Sequence, residues 1–166
     1  MAITTRWQLD MRAVRRTIAA VLQLSDERVI DGNVETDVSA LDYFVSINSI
    51  ASDLIGEEIK FDGINETEVI TSTRETTVSV NAFGKNAYQL IEKLSSSLST
   101  HYAQQQFKKL GAGIVRKSSL RNLPTSIAGG KEQRAQLDLT LSHIHRINTP
   151  LNRGDSVDIT LYEDQQ

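Results

Sequence analysis

Residues Arg74 to Leu94 read RETTVSVNAFGKNAYQLIEKL, and the two hydrophobic periods inside that stretch decide the fold class. Val78, Val80 and Ala82 alternate with Thr77, Ser79 and Asn81, the pattern of a strand covered on one side. Beyond Gly84 the period lengthens, and Ala87, Leu90, Ile91, Leu94 and Leu98 fall on one helical stripe. Asn86 with Gln89 three positions on approximates a capping box, which predicts that the helix begins there. A strand passing through one glycine into an amphipathic helix is a unit of an α+β sandwich. It carries no catalytic motif.

Toward the N-terminus, Asp10 is a candidate N-cap for a helix over about 10–24, with Met11, Val14, Ile18, Val21 and Leu22 at helical spacing. Arg12, Arg15 and Arg16 fall between them, mostly on the far face, and with Arg6 they make a basic cluster. Such a cluster is either a solvated helix face or a docking patch for an acidic partner. Asp31-Gly32 is a turn signal around which a short hairpin is expected. Tyr43 to Ile50 reads as a strand and Ile59 to Phe61 as a brief one, with 52–58 open between a turn and a short helical piece. Glu68 to Thr73 is polar and β-branched. Together with Thr76 to Phe83 it forms either one long strand or a hairpin bent at 73–75, and it reads as a partly exposed extension.

Toward the C-terminus, Ser99 or Thr100 can cap a further helix whose stripe is Ala103, Phe107 and Leu110, with Gly111 as its stop. Gly113 to Arg116 reads as a short strand. Residues 117–131 read as a long loop, of a length (about 15 residues) usually functional or ordered by a neighbour. Gln133 to Ile147 is the clearest strand, with Leu137, Leu139 and Leu141 on one face and Asp138, Thr140 and Ser142 on the other. Its length (about 15 residues) exceeds the usual 5–6, so it must bend, bulge or overhang. Ser156 to Tyr162 is expected to form a last strand with Val157, Ile159 and Leu161 inward.

The 166 residues suit a single domain, 1–166, able to bury about 70% of its unfolded surface. An apolar share of 39% gives an adequate core rather than a rich one, so some sheet surface is expected to complete its burial against another subunit. The absence of cysteine excludes disulfides, thiolate metal sites and cysteine nucleophiles. The opening MAITTRWQLDMRAVRR has no apolar core of a signal peptide, and no run is long enough to span a membrane. A net charge of −3 argues against tight, general nucleic-acid binding.

Candidate chemistry is sparse. His143 and His145 share a strand face and His-x-His can bind zinc, but a third ligand is needed, and His101 stands in no ligand spacing with them. Ser95, Ser96 and Ser97 lack a nucleophile elbow. Gly111-Ala112-Gly113 and Gly129-Gly130 do not continue as phosphate loops. The scattered carboxylates show no calcium-loop spacing, and the aromatics do not form an RNA-binding series. No catalytic residue, metal site or cofactor is expected.

VSVNAFGKNAYQLIEKL together with RAQLDLTLSHIHRINTP resembles the tail-terminator and neck-terminator proteins of tailed bacteriophages, over roughly 42–162. In those proteins a strand enters a helix with an Asn-Ala-Tyr opening, and a long strand with alternating leucines follows near the C-terminus. The resemblance implies a structural virion protein at the head–tail junction, assembled in the bacterial cytoplasm. There it forms a hexameric ring that caps the tail tube and receives the head connector, with DNA passing through the lumen without specific binding. The fold expected is α+β, one mainly antiparallel sheet of about five strands with helices packed on one face. On this reading Arg12, Arg15, Arg16, Glu68, Ile70, Ser72, Arg74, Arg121, Lys131, Gln133, Asp158 and Tyr162 belong to interfaces with other subunits, the tube or adjacent rings. A head-completion or tail-tube subunit is the nearest alternative. A small metal-dependent hydrolase built on the three histidines is the alternative from another class.

Overall fold

A computed structural model of the chain describes residues 2–151, 154 and 159. Three long strands dominate it: β3 (Tyr43–Asp62), β4 (Thr67–Gly84) and β9 (Arg134–Pro150). They stand side by side and antiparallel, β3 to β4 to β9. Short strands complete the edges. β1 (Thr4–Trp7), β5 (Ala112–Lys117) and β6 (Arg121–Asn122) pair with β9, and β2 (Val29–Asp31) pairs with β3. The sheet therefore has seven strands, more than the five expected, and it is mixed, because β2 runs parallel to β3.

The parallel pair corrects the hairpin expected at Asp31-Gly32. A parallel neighbour needs a returning connection rather than a tight turn, and residues 32–42 provide it between Asp31 and Tyr43. Gly32 donates its N–H to the Ile47 carbonyl at 2.9 Å, extending the parallel pairing by one bond. A Cβ at Gly32 would stand 2.7 Å from Asn48 Oδ1, so the pattern that resembles a hairpin signal is here a close approach to the next strand.

Other departures share one cause. β3 is continuous through 52–58, but irregularities between Ser49 and Ala51 and between Leu54 and Gly56 reset which side chains face which side. Two bulges in one strand erase the alternation that periodicity needs. β4 is likewise one long strand rather than a bent hairpin. The expected 117–131 loop contains β6 and a separate hairpin of β7 (Thr125–Ile127) and β8 (Gly130–Glu132). These pieces are two or three residues long and mostly polar, too short to show a period. β1, Thr-Thr-Arg-Trp, was not anticipated for the same reason.

The helices follow the sequence closely. α1 (Met11–Leu22) is capped by Asp10, whose Oδ1 accepts from the Arg12 and Ala13 N–H groups at 2.9 and 3.3 Å. α3 (His101–Lys109) is capped by Thr100 Oγ1, which accepts from the Ala103 N–H at 3.2 Å. Gly111 follows its end with φ of +80°. α2 (Ala87–Ser97) starts at Asn86, as expected, but by a different device. Asn86 is left-handed and its side chain caps nothing, while its N–H donates to Gln133 Oε1 at 3.1 Å.

All three helices pack on the same face of the sheet. Val14, Ile18 and Leu22 of α1, Ile91 and Leu94 of α2, and Phe107 of α3 meet Val45, Ile47, Val78, Val80, Leu137, Leu139 and Leu141 in one buried cluster. The residues predicted from the two periods at Arg74–Leu94 form the centre of it.

Candidate assembly surfaces

The helices cover only the lower half of the long strands. Beyond Thr76 and Leu141 the three strands continue as a projecting ribbon that ends at the β3–β4 turn, residues 63–66. Asp62 holds that turn. Its Oδ1 accepts from the N–H groups of Ile64 and Asn65 at 3.0 and 3.2 Å, and its Oδ2 accepts from Asn65 Nδ2 at 2.7 Å. The Asn65 side chain, followed by those two N–H groups, lowers the Asp62 pKa.

On the side that the helices would have covered, the ribbon carries apolar side chains among polar ones. Cross-strand register sets Ile59, Ile70 and Ile147 directly opposite one another, a row of three isoleucines. Ile59 is 59% exposed, and Leu54 and Phe61 on the same strand are also more than half exposed. Ile70 and Ile147 are half-buried, so the exposed apolar surface lies mainly on β3. Large apolar side chains grouped on an uncovered surface mark contact sites.

At the base of the ribbon His143 is 7% exposed, and its Nε2 stands 2.7 Å from Thr76 Oγ1. Thr76 Oγ1 donates to Ser52 Oγ at 3.1 Å, and Trp7 lies beside the imidazole with ring centroids 6.3 Å apart. Burial lowers the His143 pKa, the Ile144 carbonyl opposes that shift, and the positive charges of His145 and Arg74 add to it. His145 is on the same strand face two positions away, whereas His101 is exposed at the first residue of α3. Among the described residues no three His, Cys, Asp or Glu side chains are grouped to hold a metal ion.

The opposite face of the sheet carries no helix and is polar. Arg134 Nη2 donates to Asn81 Oδ1 at 3.1 Å, and Asn81 Nδ2 donates to Ser79 Oγ at 3.1 Å. Gln136 Nε2 donates to the same Ser79 hydroxyl at 2.8 Å and lies 3.3 Å from Asp138 Oδ1. Asp138 is also ion-paired with Arg121, and Glu75 pairs with Arg116 at 3.3 Å. On this face Arg116 and Arg121 are paired with carboxylates of the chain, whereas Arg134 is bonded to a neutral amide.

A family model described as phage neck terminator protein matches residues 6–165, nearly the whole chain. The chain belongs to that family. No curated protein matches it. Neck terminators are structural, non-enzymatic components of the virion, and this one therefore interacts with other phage head and tail proteins. No helix among the described residues of this terminator is long and apolar enough to cross a membrane.

The residues expected at interfaces are dispersed over the terminator. Glu68, Ile70, Ser72 and Arg74 lie together on the side of the ribbon that carries the isoleucine row, since alternate residues of a strand share a face. Ser72 is buried and donates to Glu57 Oε2 at 3.0 Å, and Arg74 Nη1 reaches Ser52 Oγ at 3.5 Å. Arg12 is exposed on α1, and Arg16 stands 3.9 Å from Asp26. Arg15 is largely covered and ion-paired with Asp31 at 3.1 Å, which ties α1 to β2. Arg121 is committed to Asp138, Gln133 to the start of α2, and Lys131 is exposed on the β7–β8 hairpin. Asp158 and Tyr162, with the strand expected at 156–162, lie outside the described residues. Sequence reasoning found Ile70 but missed its partners Ile59 and Ile147, because a row across three strands has no signature along any one of them.

Proposed function

We propose that this neck terminator forms a closed ring of identical subunits at the end of the tail tube and offers the head connector its attachment surface, with DNA passing through the lumen. The observation that carries this reading is the projecting ribbon, whose row of Ile59, Ile70 and Ile147 is flanked on β3 by the exposed Leu54 and Phe61. An apolar surface of that kind in a virion protein calls for a neighbouring subunit or the tube. The polar face suits the lumen. Its basic groups Arg116 and Arg121 are paired with the carboxylates of Glu75 and Asp138, and Arg134 is held by a hydrogen bond to Asn81, which leaves few free positive charges to hold phosphates.

Light scattering over a tenfold range of concentration, with negative-stain imaging of the same samples, tests the reading. The expected result is a discrete closed ring, or a monomer that becomes a ring when tail tubes are added. Filaments growing with concentration would instead identify a tube subunit. A monomer or dimer indifferent to tubes would overturn the proposal.

A further inference from the structure

The chain is strongly polarised in charge, and the sheet carries the two poles to opposite edges. Residues 31–75 contain 11 acidic and 2 basic side chains, whereas residues 93–131 contain 7 basic and no acidic ones. The acidic segment supplies the last residue of β2, all of β3 and the first half of β4, and the basic segment supplies α3, β5, β6 and β7. In the sheet order, β3 and β2 stand at one side and β5 and β6 lie beyond β9 on the other.

Both edges are open. β2 covers β3 only at Val45–Ile47, and among the described residues nothing pairs with the outer side of β3 from Ser49 to Asp62. That edge presents Asp53, Glu57 and Glu58, with Lys60 as its one basic residue, 3.2 Å from Glu58. β5 pairs with β9 on one side and with no strand on the other among the described residues. Lys108 and Lys109, at the end of the helix packed against β5, are exposed and in no ion pair among the described residues. A long unpaired strand edge invites pairing with another chain. Opposite charges on two different edges favour a head-to-tail contact and disfavour edge-to-like-edge pairing.

We propose that neighbouring copies join head to tail, with the acidic free edge of β3 in one copy against the basic β5–α3 edge of the next. This rests on the ring reading and deepens it, since a heterologous contact closes into a ring when its rotation allows. It also gives the subunit-to-subunit contact to the two edges, which leaves the isoleucine row, of the two occupants named for it, to the tube.

The test uses the full chain and two charge reversals at exposed positions, Asp53→Lys with Glu58→Lys, and Lys108→Glu with Lys109→Glu. Each variant should keep the wild-type circular dichroism. Each alone should need a concentration at least about tenfold higher than wild type to assemble, because like charges would then face each other. An equal mixture of the two should recover assembly, with both variants alternating in equal amounts in the particles. Raising the salt concentration should weaken the wild-type particle and the mixed one alike. If each variant alone assembles as wild type does, the edge assignment is overturned while the ring reading stands, and the β3 edge belongs to another occupant such as the tube. If the mixture fails to recover assembly, head-to-tail pairing of these edges is overturned. If the wild type remains monomeric with and without tubes, both readings fall together.

Discussion

His143 shows how much a single residue's meaning depends on its surroundings. Its imidazole, held at 2.7 Å from Thr76 Oγ1 beside Trp7, occupies the point where the helix-covered base gives way to the ribbon. The folded state resists protonating it, so the unfolded chain binds the extra proton more readily. Its contribution is therefore complete above the ordinary imidazole pKa of 6.5 and is lost as pH falls from there through the depressed folded value. Denaturant midpoints of the wild type are expected to fall between pH 7.5 and 5.5. His143→Gln, which keeps a polar partner for Thr76, should show a smaller fall over the same interval, and an equal fall would assign the pH response elsewhere. At Gly111 a Cβ would come within 2.5 Å of Trp7 Cζ2, so one glycine both ends α3 and seats the indole. Only the first of these roles was legible in the sequence, because the second depends on a strand over a hundred positions away in the chain.

At the scale of elements, β9 contains both halves of the molecule's logic. Leu137, Leu139 and Leu141 are fully buried under the helices, whereas Ile147 continues the same face out along the ribbon. Leu139→Ala should destabilise the chain by about 2–5 kcal/mol through lost burial and a cavity. Ile59→Ser, at an exposed position, should change stability by less than about 0.5 kcal/mol and yet weaken association with tubes or neighbours. Paired measurements of unfolding and sedimentation separate the two effects. A large stability loss from Ile59→Ser would mean that the ribbon is held within the protomer rather than offered to a partner. The helices, their caps at Asp10 and Thr100, and the core of β4 and β9 were legible because each is a regular period with a local stop signal. The full length of β3 was not, since its two bulges shift the inward set of side chains twice.

For the whole molecule, a net charge of −3 conceals a separation of charge between the two sheet edges. The pairing of Arg116 and Arg121 on the polar face and the acidic balance predict weak retention of duplex DNA by the purified protein. Electrophoretic mobility shift at physiological salt should show no specific complex, and a tight one would contradict a lumen that lets DNA pass.

What the sequence by itself determined was the α+β class, the helices, the central strands and, through the strand-to-helix corner and the long leucine strand, the family. Each of these is encoded by neighbours in the chain, where hydrophobic period and capping chemistry act locally. Only the tertiary structure decided the number and direction of the edge strands, the continuity of β3, the isoleucine row and the placing of opposite charges on opposite edges. Those properties arise from residues brought side by side across strands. Register and topology create that adjacency, and no single stretch of sequence contains it.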